Sequence, residues 1–451
     1  MAAAVQVADL QELCLAAVRA AEDGEQAEAY AEESTRTQVK ARGAEIESMS
    51  SAETRGVGVR VIVGGRLGYA YAADPSSDEV VAAVAKARAN AALSTPDEGN
   101  ALPDAKAAKP LPQVFRASQA GVSTERKVTL ALELERATVR SHPKVRKVEQ
   151  AMYGDSVSRI AIASTAGPAQ EYARTDCWCA SSALAEDGDE TQTGFGFRLG
   201  REIDELEWMA CAHEAATRAA RLLGSRKPAT KRVPVVLDPN AAVSFLGVLA
   251  GPLSAESVQK GRSLFAGRMG EVVGAEAVTL IDDGRFLDGP AAAPFDDEGV
   301  PTQRTSLIER GRLAAFLHST YTARRGRTLS TGNAGRGSYR TAPGVSPSNL
   351  YLVPGQAAPK ELLRRAEGGV YIQDVSGVHS GANPISGEFS VGATGLRISG
   401  GELGEPLREM TIASTLPDML RAVVALGSDL RFFGSIGAPS VLVGEVTVAG
   451  T

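Results

Sequence analysis

The chain has 451 residues, of which 43% are hydrophobic and 23% charged, and its formal net charge is -6. That length predicts two domains, and the composition is that of a soluble globular protein. The acidic balance lacks the basic face that nucleic-acid binding needs, and no apolar run is long enough to span a bilayer, so neither nucleic acid nor membrane is an expected partner.

The first residues, Met1 to Leu13, have no basic stretch before an apolar one, and Asp9 and Glu12 interrupt them, so they do not read as a secretory leader. Residues 9–21 read as a helix, because Leu10, Leu13, Cys14 and Ala17 recur on one face. Extended segments follow at 27–31, 37–42, 46–51, 56–63 and 67–72, punctuated by Gly43, Gly56 and the hairpin pair Gly64-Gly65. Asp74-Pro75-Ser76-Ser77 opens a helix to about residue 92, with Ser or Asp as its N-cap. A connector rich in Pro, Ala and Lys spans 94–117. A helix at 123–139, a strand block at 145–183 and a helix at 202–223 then repeat the theme of strands flanked by helices.

Lys227 to Arg232 reads as a boundary, and a strand at 233–237 opens a second half rich in glycine and strands. The expected fold class is α+β: an N-terminal α+β domain over 1–230 with helices packed on strands, then a C-terminal β-rich, barrel-like domain over 231–451. The apolar strands at 370–372 and 441–448 should be buried in the second. Cys14, Cys177, Cys179 and Cys211 are too sparse and irregular for a disulfide scaffold, which predicts reduced thiols and a cytoplasmic location.

Four histidines limit the available chemistry: His142, His213, His318 and His379. His213-Glu214 starts like an H-E-x-x-H zinc helix, but Thr217 stands where the second imidazole belongs and Arg218 follows, so the fragment reads as an exposed polar helix face. Cys177-Trp178-Cys179 places two thiols on one face of a strand without further ligands, and reads as two small buried side chains. No G-x-S-x-G elbow and no phosphate-binding glycine loop occurs. The dense run of Gly, Ser, Asn and Pro from Asp374 to Gly395 has two readings. It could line a groove that takes an extended peptide by backbone hydrogen bonding, or form tight turns between strands of a barrel-like sheet.

The string from His379 to Leu420, HSGANPISGEFSVGATGLRISGGELGEPLREMTIASTLPDML, resembles the C-terminal signature of the TldD/PmbA family. STGNA at Ser330–Ala334, PVVLDPNAA at Pro234–Ala242, the ending Gly434–Gly450 and the Gly-x-Gly-x-Arg of Gly56–Arg60 resemble it as well. The TldD branch of that family carries zinc on an H-E-x-x-x-H helix with a C-terminal Cys. Here the resemblance places the two His positions on about Leu246 and Gly251, the Glu on Gly247 and the Cys near Gly434-Ser435. None of these can bind zinc or act as a base, which is the pattern of the PmbA (TldE) branch.

The resemblance therefore implies a chain with no catalytic residue and no cofactor of its own. It would pair as a heterodimer with a TldD-like catalytic subunit that supplies zinc, and the substrate would be an unfolded or small peptide. Candidate substrate-facing residues are His379, Ser380, Asn383, Ser386 and Glu388, with Asn333 beside them. Asn383 before Pro384 serves equally as a turn-fixing residue. Two rivals remain: a stand-alone regulatory protein acting in gyrase or toxin–antitoxin control without proteolysis, and an autonomous peptidase using His318, His379 and a carboxylate.

Overall fold

The computed structural model describes residues 9–450, and the residues before Asp9, on which part of the leader reading rests, lie outside it. The N-terminal part is built on one antiparallel sheet of six strands: β1 (Gln26–Arg42), β2 (Glu45–Val63), β3 (Arg66–Ala73), β4 (Val145–Ser164), β5 (Gly167–Asp187) and β6 (Glu190–Gly200). Their order is β3-β2-β1-β4-β5-β6, so two three-stranded meanders meet at the β1–β4 pair. Each meander is preceded and followed by a helix, Leu10–Arg19 and Ser77–Leu93 for the first, Thr124–Arg140 and Trp208–Ala220 for the second.

Alternation decides which face is covered. In β1, Ala27, Ala29 and Ala31 are buried against Leu10, Leu13, Val80 and Val84, together with Val57, Val59 and Val61 of β2. The intervening Glu28, Tyr30 and Glu32 must then point to the other face. Cys177 and Cys179 do share a face, packed with Leu130, Leu134 and Cys211, and all four thiols are free and buried. Ser76 is the N-cap of its helix, in a capping box with Glu79.

Two sequence expectations change. The five short strands of the first block are three long ones, because the polar run Glu32 to Arg36 continues the pairing of β1 with both β2 and β4. A central strand has its backbone groups satisfied on both sides, so polar side chains there do not make a turn. The His213–Arg218 face is also not simply exposed. Glu214 lies half-buried between Arg198 and Arg431, and Arg218 is buried and donates to Asp238 at 2.8 Å.

The C-terminal part contains a closed barrel of five strands. β7 (Lys231–Leu237) pairs in parallel with Val370–Ser376, which pairs with Glu388–Ser399, then Glu402–Thr415, then Val441–Gly450, which returns to β7. The Met410–Gly450 and Ile412–Val448 pairs close the ring, so these strands leave no open edge. Val370, Ile372, Val441, Val443, Val446 and Val448 are buried, as their apolar pattern predicts. A second sheet orders the strands Arg312–Leu313, Arg304–Glu309, Leu280–Asp283, Leu350–Leu352, Ile436–Ala438 and Arg431–Phe433. Among the described residues no helix is long and apolar enough to cross a membrane.

Candidate functional site

The helix Pro239–Ala250 leaves β7 through Asp238, whose carboxylate caps it by accepting from the Asn240 N–H at 2.9 Å. Pro239 takes the first helical position, where its missing N–H costs nothing. The other Asp238 oxygen accepts from Arg218 of the N-terminal part and from the Tyr371 hydroxyl on the barrel. Arg218 also donates to the Gln373 carbonyl at 2.6 Å. The PVVLDPN signature thus sets the start and direction of this helix from both the N-terminal and the C-terminal part.

The helix splits its side chains between two surroundings. Ala242, Phe245, Leu246 and Leu249 point into the main apolar core. Val243, Ser244, Gly247, Val248 and Gly251 line a groove of about 540 Å³, faced by Val378, Ala382 and Pro384. A β-carbon built on Gly247 stands 3.5 Å from Ile436 Cδ1, and one built on Gly251 meets open space. Gly247 and Gly251 therefore share the groove, and Gly247 also lies against Ile436, next to Ser435, whose carbonyl accepts from the Leu350 N–H at 3.0 Å. Leu246 does not join them, because it lies on the core side of the helix.

The loop at 378–384 lines this groove through Val378, Ala382 and Pro384, whereas the candidates Ser380, Asn383, Ser386 and Glu388 are not among its lining residues and are exposed. Their side chains already serve the loop. Asn383 Oδ1 accepts from the N–H groups of Ile385 and Ser386, Ser380 Oγ donates to the Gly377 carbonyl, and Ser386 Oγ accepts from the Glu388 N–H. The side chain of His379 lies outside the described residues. Asn333 is elsewhere: it is buried, its amide donates to Asp282 at 2.6 Å, and it borders a second, polar cleft between the N-terminal sheet and the C-terminal part.

Sequence reading missed that second region. Glu28 and Arg60 on the free face of the N-terminal sheet form a buried charge network with Glu298 and Arg336. Gly56 and Gly58 make room for it: a β-carbon on Gly56 would stand 2.3 Å from the Tyr339 ring, and one on Gly58 2.2 Å from the Tyr339 carbonyl oxygen. The Gly-x-Gly-x-Arg motif is thus a docking site for the C-terminal part. Burial pushes Glu298 up, but Arg60 and the Thr320 N–H outweigh it and hold the carboxyl below its usual range. The usable signal was the alternation of Ala27, Ala29 and Ala31 with Glu28, Tyr30 and Glu32 in β1.

Burial likewise pushes Asp297 up to about 6, against the pull of Arg336. Its folded value lies above the ordinary 3.8, so its contribution to stability is complete below about 3.8 and is lost as pH rises through about 6. Asp297→Asn removes this dependence. The stability of the variant relative to the parent, from urea midpoints, should rise between about pH 4 and pH 6 and then level off. A constant difference across that window would contradict the assignment.

Three family models match the chain: the PmbA/TldA metallopeptidase domain 1 over residues 27–91, the central domain over 118–223 and the C-terminal domain over 230–450. The chain belongs to the PmbA/TldD family. It is 27% identical over 429 residues to the metalloprotease PmbA of Escherichia coli O157:H7, covering 94% of this chain and 92% of that protein. It is 32% identical over 302 residues to a metalloprotease of Methanothermobacter thermautotrophicus, covering 65% of this chain and 66% of that one. A crystal structure of TldE from Thermococcus kodakarensis superimposes with a TM-score of 0.90 at 21% identity, over 98% of this chain and 100% of that one, a likeness of fold.

A metallopeptidase family implies zinc, and the groove of this PmbA-type chain does not fit it. The helix offers the groove valines, glycines and one serine, none of them a ligand that Zn²⁺ takes. Among the described residues no group of three or more His, Cys, Asp or Glu side chains is placed to hold a metal. With no nitrogen, sulfur or carboxylate donor on the helix, the groove itself can offer shape, apolar contact and backbone groups.

Proposed function

We propose that this chain is the zinc-free subunit of a two-chain peptidase. A TldD-like partner supplies the metal and the general base, and this chain forms part of the chamber wall that holds an extended, unfolded peptide. The observation that carries the reading is the groove beside Gly247 and Gly251. It keeps open room on the face of the helix that carries Gly247 and Gly251, two of the three helix positions to which the resemblance assigns a zinc ligand or the base, with no donor set to fill it. Its apolar lining suits a peptide side chain, and the glycine-rich loop opposite suits backbone contact.

Metal analysis tests the reading. The chain purified alone should carry well below one zinc per chain, whereas its complex with a TldD-like partner should carry about one per pair, lost on chelation. Stoichiometric zinc on the isolated chain would overturn it.

A further inference from the structure

The polar cleft between the N-terminal sheet and the C-terminal part has no task in the function just proposed. One wall is the free face of the sheet, where Tyr30, Glu32 and Arg36 of β1 stand beside Tyr172 and Arg174 of β5. The other wall carries Phe295, Asp297 and Asn333. The volume enclosed is about 290 Å³.

Several of these polar groups are unused by the fold. Among the described residues, the hydroxyls of Tyr30 and Tyr172 meet no hydrogen-bond partner. Arg174 uses only its Nε, on Asp176 at 3.0 Å, and its terminal nitrogens remain open to the cleft. Arg36 is exposed and makes no ion pair among the described residues. Asn333 Oδ1 is buried without a partner, although the residue is only 3% exposed. Buried polar atoms are ordinarily satisfied, so the unpaired Asn333 Oδ1, beside tyrosine hydroxyls and guanidinium nitrogens that line the cleft without a partner, points to a polar ligand.

The charges narrow its chemistry. Arg36 and Arg174 offer two cations, and Glu32 and Asp297 two carboxylates, within one small space. A polyanion would meet both carboxylates, and an apolar ligand would leave exposed Arg36 and the terminal nitrogens of Arg174 without a counter-group. A zwitterion answers both signs. Next to the cleft lies a second compartment of about 470 Å³, lined by Leu111, Phe115, Ala173 and Pro294. Tyr172 and Phe295 border both spaces, edge to face at 5.0 Å.

We propose that this trench binds a short peptide with both ends free, its carboxylate on Arg174 and Arg36, its ammonium on Asp297 and Glu32, and an apolar side chain beyond Tyr172 and Phe295. The site is separate from the groove at Gly247, and its existence neither needs nor excludes the two-chain peptidase.

Calorimetric titration of the full chain with the dipeptide leucyl-alanine tests it, alongside the N-acetylated and the C-amidated dipeptide. Each blocked form should bind about tenfold more weakly or worse, as should the free form on Arg174→Gln and on the Tyr30→Phe, Tyr172→Phe double variant. The Tyr→Phe changes keep both rings in place, so a melting temperature equal to the parent's shows that the fold is kept. Absence of binding at millimolar dipeptide would overturn the proposal. So would equal binding of free and blocked forms, or affinities unmoved by the folded double variant.

Discussion

Arg60→Met should lower folding stability by about 3–5 kcal/mol, read from urea unfolding midpoints at fixed pH. Arg60 is 4% exposed and bridges Glu28 at 2.6 Å and Glu298 at 2.8 Å, which are 1% and 4% exposed. Methionine keeps the apolar stem and removes the cation, leaving two buried carboxylates short of a partner. Some compensation persists, because Glu28 still pairs with Arg336 and Glu298 still accepts from the Thr320 N–H at 2.8 Å. The double variant Arg60→Met, Glu298→Gln should therefore recover part of the loss. A single-variant effect below about 1 kcal/mol would mean that the network does not lock the C-terminal part onto the sheet, since that is the scale of a surface ion pair.

Gly58→Ala should cost about 1–3 kcal/mol, the range for overpacking a tight site. A β-carbon there would stand 2.0 Å from Tyr69 Oη and 2.2 Å from the Tyr339 carbonyl oxygen, which Tyr69 itself holds by a 2.7 Å hydrogen bond. The ring could swing, but the carbonyl belongs to backbone docked on the sheet. Gly251→Ala is the control: its built β-carbon meets nothing within 4 Å, and its φ of -62° suits any residue. It should stay within about 0.5 kcal/mol of the parent. Equal effects of the two changes in thermal melts would show that close packing of Tyr339 is not what Gly58 serves.

Local signals carried much of the architecture. The extended segments at 56–63 and 67–72, the Gly64-Gly65 hairpin and the Ser76 N-cap rest on neighbours a few residues apart, and the structure repeats them. The apolar residues Val370, Ile372, Val441, Val443, Val446 and Val448 of the barrel strands lie buried as read, while Glu445 among them is exposed. What escaped was partnership across the chain. Arg60 meets Glu298 across 238 positions and Arg218 meets Gln373 across 155, so neither pairing leaves a trace in local periodicity.

The same limit governs the site. Asn333 and Asn383 both sit in runs of small polar residues, yet one is buried and the other caps an exposed turn. Leu246 and Gly247 are adjacent in sequence but face core and groove, a distinction that helical phase makes and composition does not. Family resemblance located the helix. Only the structure shows which of its faces borders the loop at 378–384.

Peptidase activity on an unfolded peptide tests the central claim most directly, measured for this chain alone, for its TldD-like partner alone and for the mixture, with and without a zinc chelator. The account predicts that this chain alone is inactive and that the mixture exceeds either chain and falls to background on chelation. Chelator-sensitive hydrolysis by this chain alone would contradict it.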